Sequence, residues 1–178
     1  MDKARVITTL RCDRKCPNCS TTDMIGRAKL ISNPNDLLDY KEIIITGGEP
    51  CKIPKNILEF VQRLNDVKYN GKVYLYSALY NNELRDFYKV IFRYIHGLHY
   101  TVHYESTDAD IVALKQLSEV LIQYCPDYIS LRLSIDSRLY DKYDFSNINF
   151  NGWSVVRKLQ WKEHCPLPPG EELLLYFL

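Results

Sequence analysis

Short β-branched runs alternate along the chain with stretches in which apolar residues recur every three or four positions. Residues 4–10 (Ala-Arg-Val-Ile-Thr-Thr-Leu) read as a first strand. Asn33-Pro34-Asn35-Asp36 then offers an N-cap, a proline at the first helical position and an acid at the third, which predicts a short helix through Tyr40. Lys41 to Thr46, centred on Ile43-Ile44-Ile45, is a second strand whose unbroken apolar run predicts burial on both faces. Ile57, Leu58, Val61 and Leu64 have helical spacing over 54–68, with Asn70-Gly71 as the stop, and Val73 to Tyr76 is a third strand ending at Ser77. Leu84, Phe87, Tyr88, Ile91 and Ile95 trace one face of a helix that Gly97 ends. A fourth strand follows over Leu98–Tyr104. Ser106 or Thr107 then caps a helix with Ile111, Leu114, Leu117 and Leu121 inward, closing near Pro126, and Tyr128–Ile135 is a fifth strand.

Five strand–helix alternations without a repeat predict right-handed crossovers and a mainly parallel sheet in one α/β domain spanning residues 1–178. Its core covers about residues 4–136. The pattern weakens over 137–178, a C-terminal extension in which Trp153 to Trp161 offers a sixth strand. The Pro-rich run Cys165-Pro166-Leu167-Pro168-Pro169-Gly170 breaks regular structure, and Glu171 to Leu178 is apolar enough to dock back on the body.

Composition narrows the partners only by exclusion. Lys plus Arg number 23 against 22 Asp plus Glu, with no basic run, so charge does not favour nucleic acid or a membrane surface. The polar start runs straight into a strand and no apolar run reaches membrane-spanning length, so the expected location is the cytoplasm. The fourteen tyrosines are an excess, read as core.

Chemistry concentrates in Cys12-Asp13-Arg14-Lys15-Cys16-Pro17-Asn18-Cys19, directly after the first strand. Three cysteines in eight residues without a secretion signal point to metal rather than disulfides. One reading is part of a zinc site with His103, Cys51 or Cys165 as a fourth ligand, although zinc knuckles favour paired C-x2-C units. Another is a four-iron cluster with one iron lacking a local cysteine, or closed by Cys51 as an electron carrier or sensor. Cys51 otherwise reads as a small buried residue and Cys125 as core, while Cys165 is a tail thiol, an extra ligand or a radical relay. Gly47-Gly48-Glu49-Pro50 ends the second strand, where glycines permit close approach to backbone and Glu49 suits an ammonium. All further candidates fall at strand ends, where parallel α/β sheets place their sites: Ser77, His103, Glu105, Ser134 and Asp136. On the fifth strand Ser130, Arg132 and Ser134 oppose the apolar row Leu131, Leu133 and Ile135. A cavity holding a charged ligand, or an Arg132–Glu105 pair bridging adjacent strands, would compensate such polar rows.

The C-x3-C-x2-C loop, followed about one βα unit later by Gly47-Gly48-Glu49-Pro50, resembles the radical S-adenosylmethionine (SAM) enzymes, as a small single-domain member. The resemblance implies a partial (β/α)6-type barrel with helices on the outer face. It implies that Cys12, Cys16 and Cys19 hold a [4Fe-4S] cluster and that Gly47, Gly48, Glu49 and Pro50 meet the SAM amino group. Ser77, Glu105 and Arg132 are the candidates for the rest of SAM, its carboxylate and ribose. Reductive cleavage of SAM would yield a 5′-deoxyadenosyl radical that abstracts hydrogen from substrate, with an external flavodoxin- or ferredoxin-type electron donor. The substrate stays open between a protein, as for glycyl-radical-enzyme activases, and a small molecule, as for the deazapurine-forming members. Asn18 departs from the family pattern, in which the residue before the third cysteine is commonly aromatic.

Overall fold

A computed structural model describes residues 2–16, 19–160 and 167–178. Asn18, Trp161, Cys165 and Pro166 fall outside the described residues. The fold is α/β, with one eight-stranded, all-parallel sheet. Its strands are β1 (Lys3–Ile7), β2 (Lys29–Leu30), β3 (Glu42–Thr46), β4 (Lys72–Ser77), β5 (Gly97–Val102), β6 (Ser130–Asp136), β7 (Val155–Leu159) and β8 (Glu171–Leu175). The helices are α1 (Ser20–Met24), α2 (Pro54–Asp66), α3 (Arg85–Ile91) and α4 (Asp108–Tyr124). Spatial order is β2-β8-β1-β3-β4-β5-β6-β7, so the six strands from β1 to β7 without β2 follow one another in chain order.

Side chains alternate across this sheet, and the alternation sorts its faces. Ala4, Val6, Ile43, Ile45, Val73, Leu75, Leu98, Tyr100, Val102, Leu131, Leu133 and Ile135 join the buried positions of α2, α3 and α4 in one core. Each fully buried Val, Leu or Ile among them contributes roughly 1.5–3 kcal/mol. On the other face α1 covers one end, where Met24 packs on Ile7 of β1 and Leu173 of β8. Beyond that end this face carries Arg5 of β1 beside Ile44 of β3, then a polar row of Tyr76, His99, Arg132 with Ser134, and Arg157 on β4, β5, β6 and β7. Ile43-Ile44-Ile45 is buried throughout, as its unbroken pattern predicts. Arg132 is instead exposed, so it needs no compensating partner, and no Arg132–Glu105 pair occurs among the described residues.

Several boundaries differ from the sequence reading for identifiable reasons. The first strand ends at Ile7, because the Thr8 N–H still reaches Thr46 O but Thr9 already accepts from Gly48 N. The Asn33 capping box forms as expected, yet it opens a 3-10 turn over Pro34–Leu37 rather than a helix. Lys68, at φ 58°, ends the turn after α2 before Asn70-Gly71 is reached. The amphipathic run after Asn82 yields a 3-10 turn and the seven-residue α3, since the chain must unwind for His96 N–H to reach Val73 O. Thr107, not Ser106, caps α4, closing a box with Asp110. The 137–178 stretch supplies β7 and β8 to the same sheet, with β8 inserted in parallel between β1 and β2. Among the described residues no helix is long and apolar enough to cross a membrane.

Candidate functional site

The loops after β1 and β3 are stitched together by backbone. Gly48 N–H donates to Thr9 O at 2.7 Å and Glu49 N–H to Arg11 O at 2.8 Å. Thr21 Oγ1 of α1 donates to Gly47 O at 2.7 Å, and Lys52 pairs with Asp13. Glycine is required twice. Gly47 has φ 152° and a Cβ there would press on Thr9 O, while a Cβ at Gly48 would sit 2.5 Å from Arg11 O.

Glu49 is the hub of this end of the sheet. Pro50 opens a 3-10 turn over Pro50–Lys52, and the Glu49 side chain caps it by accepting from Cys51 N–H at 3.0 Å. The same oxygen accepts from Ser77 Oγ at 2.7 Å, and Oε2 accepts from Ala78 N–H at 2.8 Å. Burial pushes its carboxyl above the ordinary glutamate value, against the pull of those three donors. Ser77 is thereby committed to Glu49 and also accepts from Leu79 N–H. Cys51 turns away from the cysteine loop: it is buried, with Sγ 3.5 Å from Tyr88 Oη. Cys125 caps the C-terminal end of α4, partly buried.

Arg14, inside the cysteine loop, reaches across the sheet ends. It donates to Asp110 Oδ1 at 2.6 Å, to Ala78 O at 2.9 Å and to Ser106 Oγ at 3.3 Å. Burial alone would raise the Asp110 carboxyl, but Thr107 and Arg14 hold it below the ordinary aspartate range. Around these contacts lies a cavity of about 450 Å³ lined by Cys12, Arg14, Glu49, Lys52, Glu105 and Asp110, among others. Cys12 is exposed, and Cys16 and Cys19 are half-buried. All three thiols are close enough to interact electrostatically, and the Cys16 thiol is pushed up to about 11 by burial, then by Glu105. A metal at Cys16 must therefore displace a proton near neutral pH.

The polar row of β5 continues past the strand into this site. His103 and Glu105 bring a ring nitrogen and a carboxylate oxygen within 4.8 Å of one another and of Cys16 Sγ. Burial, then Arg14, lowers His103 to about 4. Of the sequence candidates, Cys12, Glu49 and Glu105 line this cavity, Cys16 lies beside Glu105 and His103, and Cys19 stands at the start of α1. Ser77 sits beneath Glu49, and Ser134 and Arg132 lie lower on β6. Asp136, at the end of β6, is held by three bonds from Arg138 instead. Sequence reading did not find Arg14 or Asp110. The only signal for Arg14 was its position between two cysteines.

One exposed and two half-buried thiols, next to a cavity at the strand ends lined by both acidic and basic side chains, are a donor set suited to a thiolate-bound metal group. No protein-family model and no curated protein matches this chain.

Proposed function

We propose that this chain is a radical SAM enzyme in which Cys12, Cys16 and Cys19 hold a [4Fe-4S] cluster and the adjoining cavity receives SAM. The reading is carried by one juxtaposition: the cysteine loop and Gly47-Gly48-Glu49-Pro50, 28 residues apart from Cys19 to Gly47, share backbone hydrogen bonds at the same sheet end. The six strands in chain order agree with a partial (β/α)6 barrel. When bound, the cluster and an external one-electron donor would supply reductive cleavage of SAM and hence hydrogen abstraction from substrate.

The chain's own residues do the positioning. Gly47 and Gly48 let the backbone after β3 lie directly against the backbone that leads into the cysteine loop, where any Cβ would collide with Thr9 or Arg11. Glu49 fixes the turn through Cys51 and Ala78 and presents its remaining acceptor capacity to the cavity, where an ammonium would find it. Arg14 draws the loop toward α4 and limits its swing.

The test is anaerobic reconstitution with iron and sulfide, then electron paramagnetic resonance of the reduced protein with and without SAM, counting 5′-deoxyadenosine. The expected result is a four-iron signal that changes on adding SAM, with nucleoside formed. A signal indifferent to SAM overturns the reading. The cluster of Cys16, His103 and Glu105 favours one rival, a single divalent ion such as zinc. His103→Ala separates the two: it removes a zinc ion but leaves a brown three-cysteine cluster in place.

A further inference from the structure

Two cations on the polar part of the sheet face, beyond the end that α1 covers, stand without a carboxylate among the described residues. Tyr76, His99 and Arg132 occupy one cross-strand row, and Thr101, Ser134 and Arg157 the next. Ser134 joins the rows, accepting from Arg157 Nε at 2.8 Å and meeting His99 Nε2 at 2.8 Å. Arg5, across Tyr76 at 5.6 Å from the ring centroid, is neutralised by Glu171 at 2.7 Å. Arg132 and Arg157 have no acidic partner among the described residues. They sit on adjacent strands in diagonal register, roughly 7–8 Å apart at the backbone, so both guanidinium groups can reach one small anion.

Exposed arginines alone are ordinary. Here the surroundings are built. His99 is wedged edge-on against Tyr76 at 4.6 Å between centroids, and its Nδ1 is buried without a hydrogen-bond partner. Burial, then Arg157, Arg132 and Arg5, lowers the His99 ring to about 4, so it stays neutral beside the two unpaired guanidinium groups.

We propose that Arg132 and Arg157, backed by His99 and Ser134, bind the carboxylate or phosphate of a small anionic substrate. A guanidinium fork matches the oxygens of either group, and bringing one between the arginines relieves their mutual repulsion. An extended polyanion does not fit, since the chain has a net charge of +1 and no basic tract beyond this patch. Position supplies the orientation. His99 lies within β5 and His103 just past its end, four residues or about 13 Å on, beside Cys16, so a molecule anchored at Arg132 and running along the strand extends toward Cys16 at the sheet end. Calling the ligand a substrate rests on the enzyme reading above, whereas the anion site does not.

The experiment is isothermal titration calorimetry of the full chain with pyrophosphate and, separately, malonate, at fixed ionic strength. The variants are Arg132→Gln, Arg157→Gln and, as a control on the opposite face, Lys115→Gln. One probe should bind saturably at one per chain, and the tighter of the two identifies the group as phosphate or carboxylate. Each arginine variant should weaken it by about tenfold or more, while Lys115→Gln binds as wild type does. No saturable binding of either probe, or equal loss in the lysine control, overturns the proposal. Formation of 5′-deoxyadenosine without anion binding removes the substrate class alone. Anion binding with no nucleoside removes the enzyme reading and leaves the site.

Discussion

At the scale of single residues, Glu49 shows how a motif's chemistry depends on partners distant in sequence. Its three donors come from Cys51, Ser77 and Ala78, and the last two lie at the end of β4 and just past it. Glu49→Gln keeps the shape but turns an amide donor toward groups that already donate. The expected loss is about 1–3 kcal/mol, which urea unfolding would register as a lower midpoint at unchanged slope. His99 gives a pH dependence with a definite sign. Its folded value of about 4 lies below the ordinary 6.5, so between them the folded state binds fewer protons than the unfolded one. Stability is therefore lost as pH falls through that window, by up to about 3 kcal/mol. Against wild type, His99→Gln should flatten the stability curve between pH 6.5 and 4, with Arg5, Arg132, Arg157, Tyr76 and Ser134 retained around it. The cysteines and the Gly-Gly-Glu-Pro run were legible because they are local in sequence. Glu49 as a buried hub and Arg132 as an exposed cation were not, since partners and exposure are set by tertiary contacts.

Among elements, the cysteine loop is fixed less by its own sequence than by what it touches. Arg14 spans 96 positions to Asp110, which is also the third residue of the α4 capping box, so loop and helix start share a carboxylate. Arg14→Gln should cost about 2 kcal/mol and lower the iron retained after reconstitution, and Asp110→Asn should reproduce most of that loss. A double-mutant cycle well short of additive would establish the coupling. Gly48→Ala is expected to be worse, because the Cβ meets backbone oxygen rather than a movable side chain. It should yield less folded protein, measured by circular dichroism and the unfolding midpoint. Strand positions and the α4 cap were readable from β-branching and Thr107. The early end of α3 was not, because its amphipathic face continues to Ile95 while the geometry of β5 demands an earlier exit.

For the whole molecule, the decisive feature is β8. Leu173, Leu174 and, just past the strand, Tyr176 are buried, and the Tyr176 ring packs tilted against Phe60, 5.2 Å between centroids. Arg5–Glu171 and Tyr40–Glu172 tie the strand to β1 and to the start of β3. Three buried side chains amount to roughly 5–9 kcal/mol, comparable to the entire net stability of a domain. Removing residues 171–178 should therefore abolish cooperative thermal unfolding; a sharp transition in the truncated chain would show that β1 is self-sufficient. The sequence showed only that this tail was apolar. Apolarity says that a segment is buried and leaves its place in the sheet unsaid. That place also sets a clock for biosynthesis. Arg5 and Glu171 are 166 positions apart, so a ribosome adding about 5–20 residues per second makes the partner of β1 on the order of 10–30 s after β1 itself. Throughout that interval the cysteines have left a strand with an unfilled edge, and the thiol loop is translated well before the scaffold that holds it is complete. On the proposed reading, the cluster would therefore be loaded onto a finished sheet rather than a nascent one.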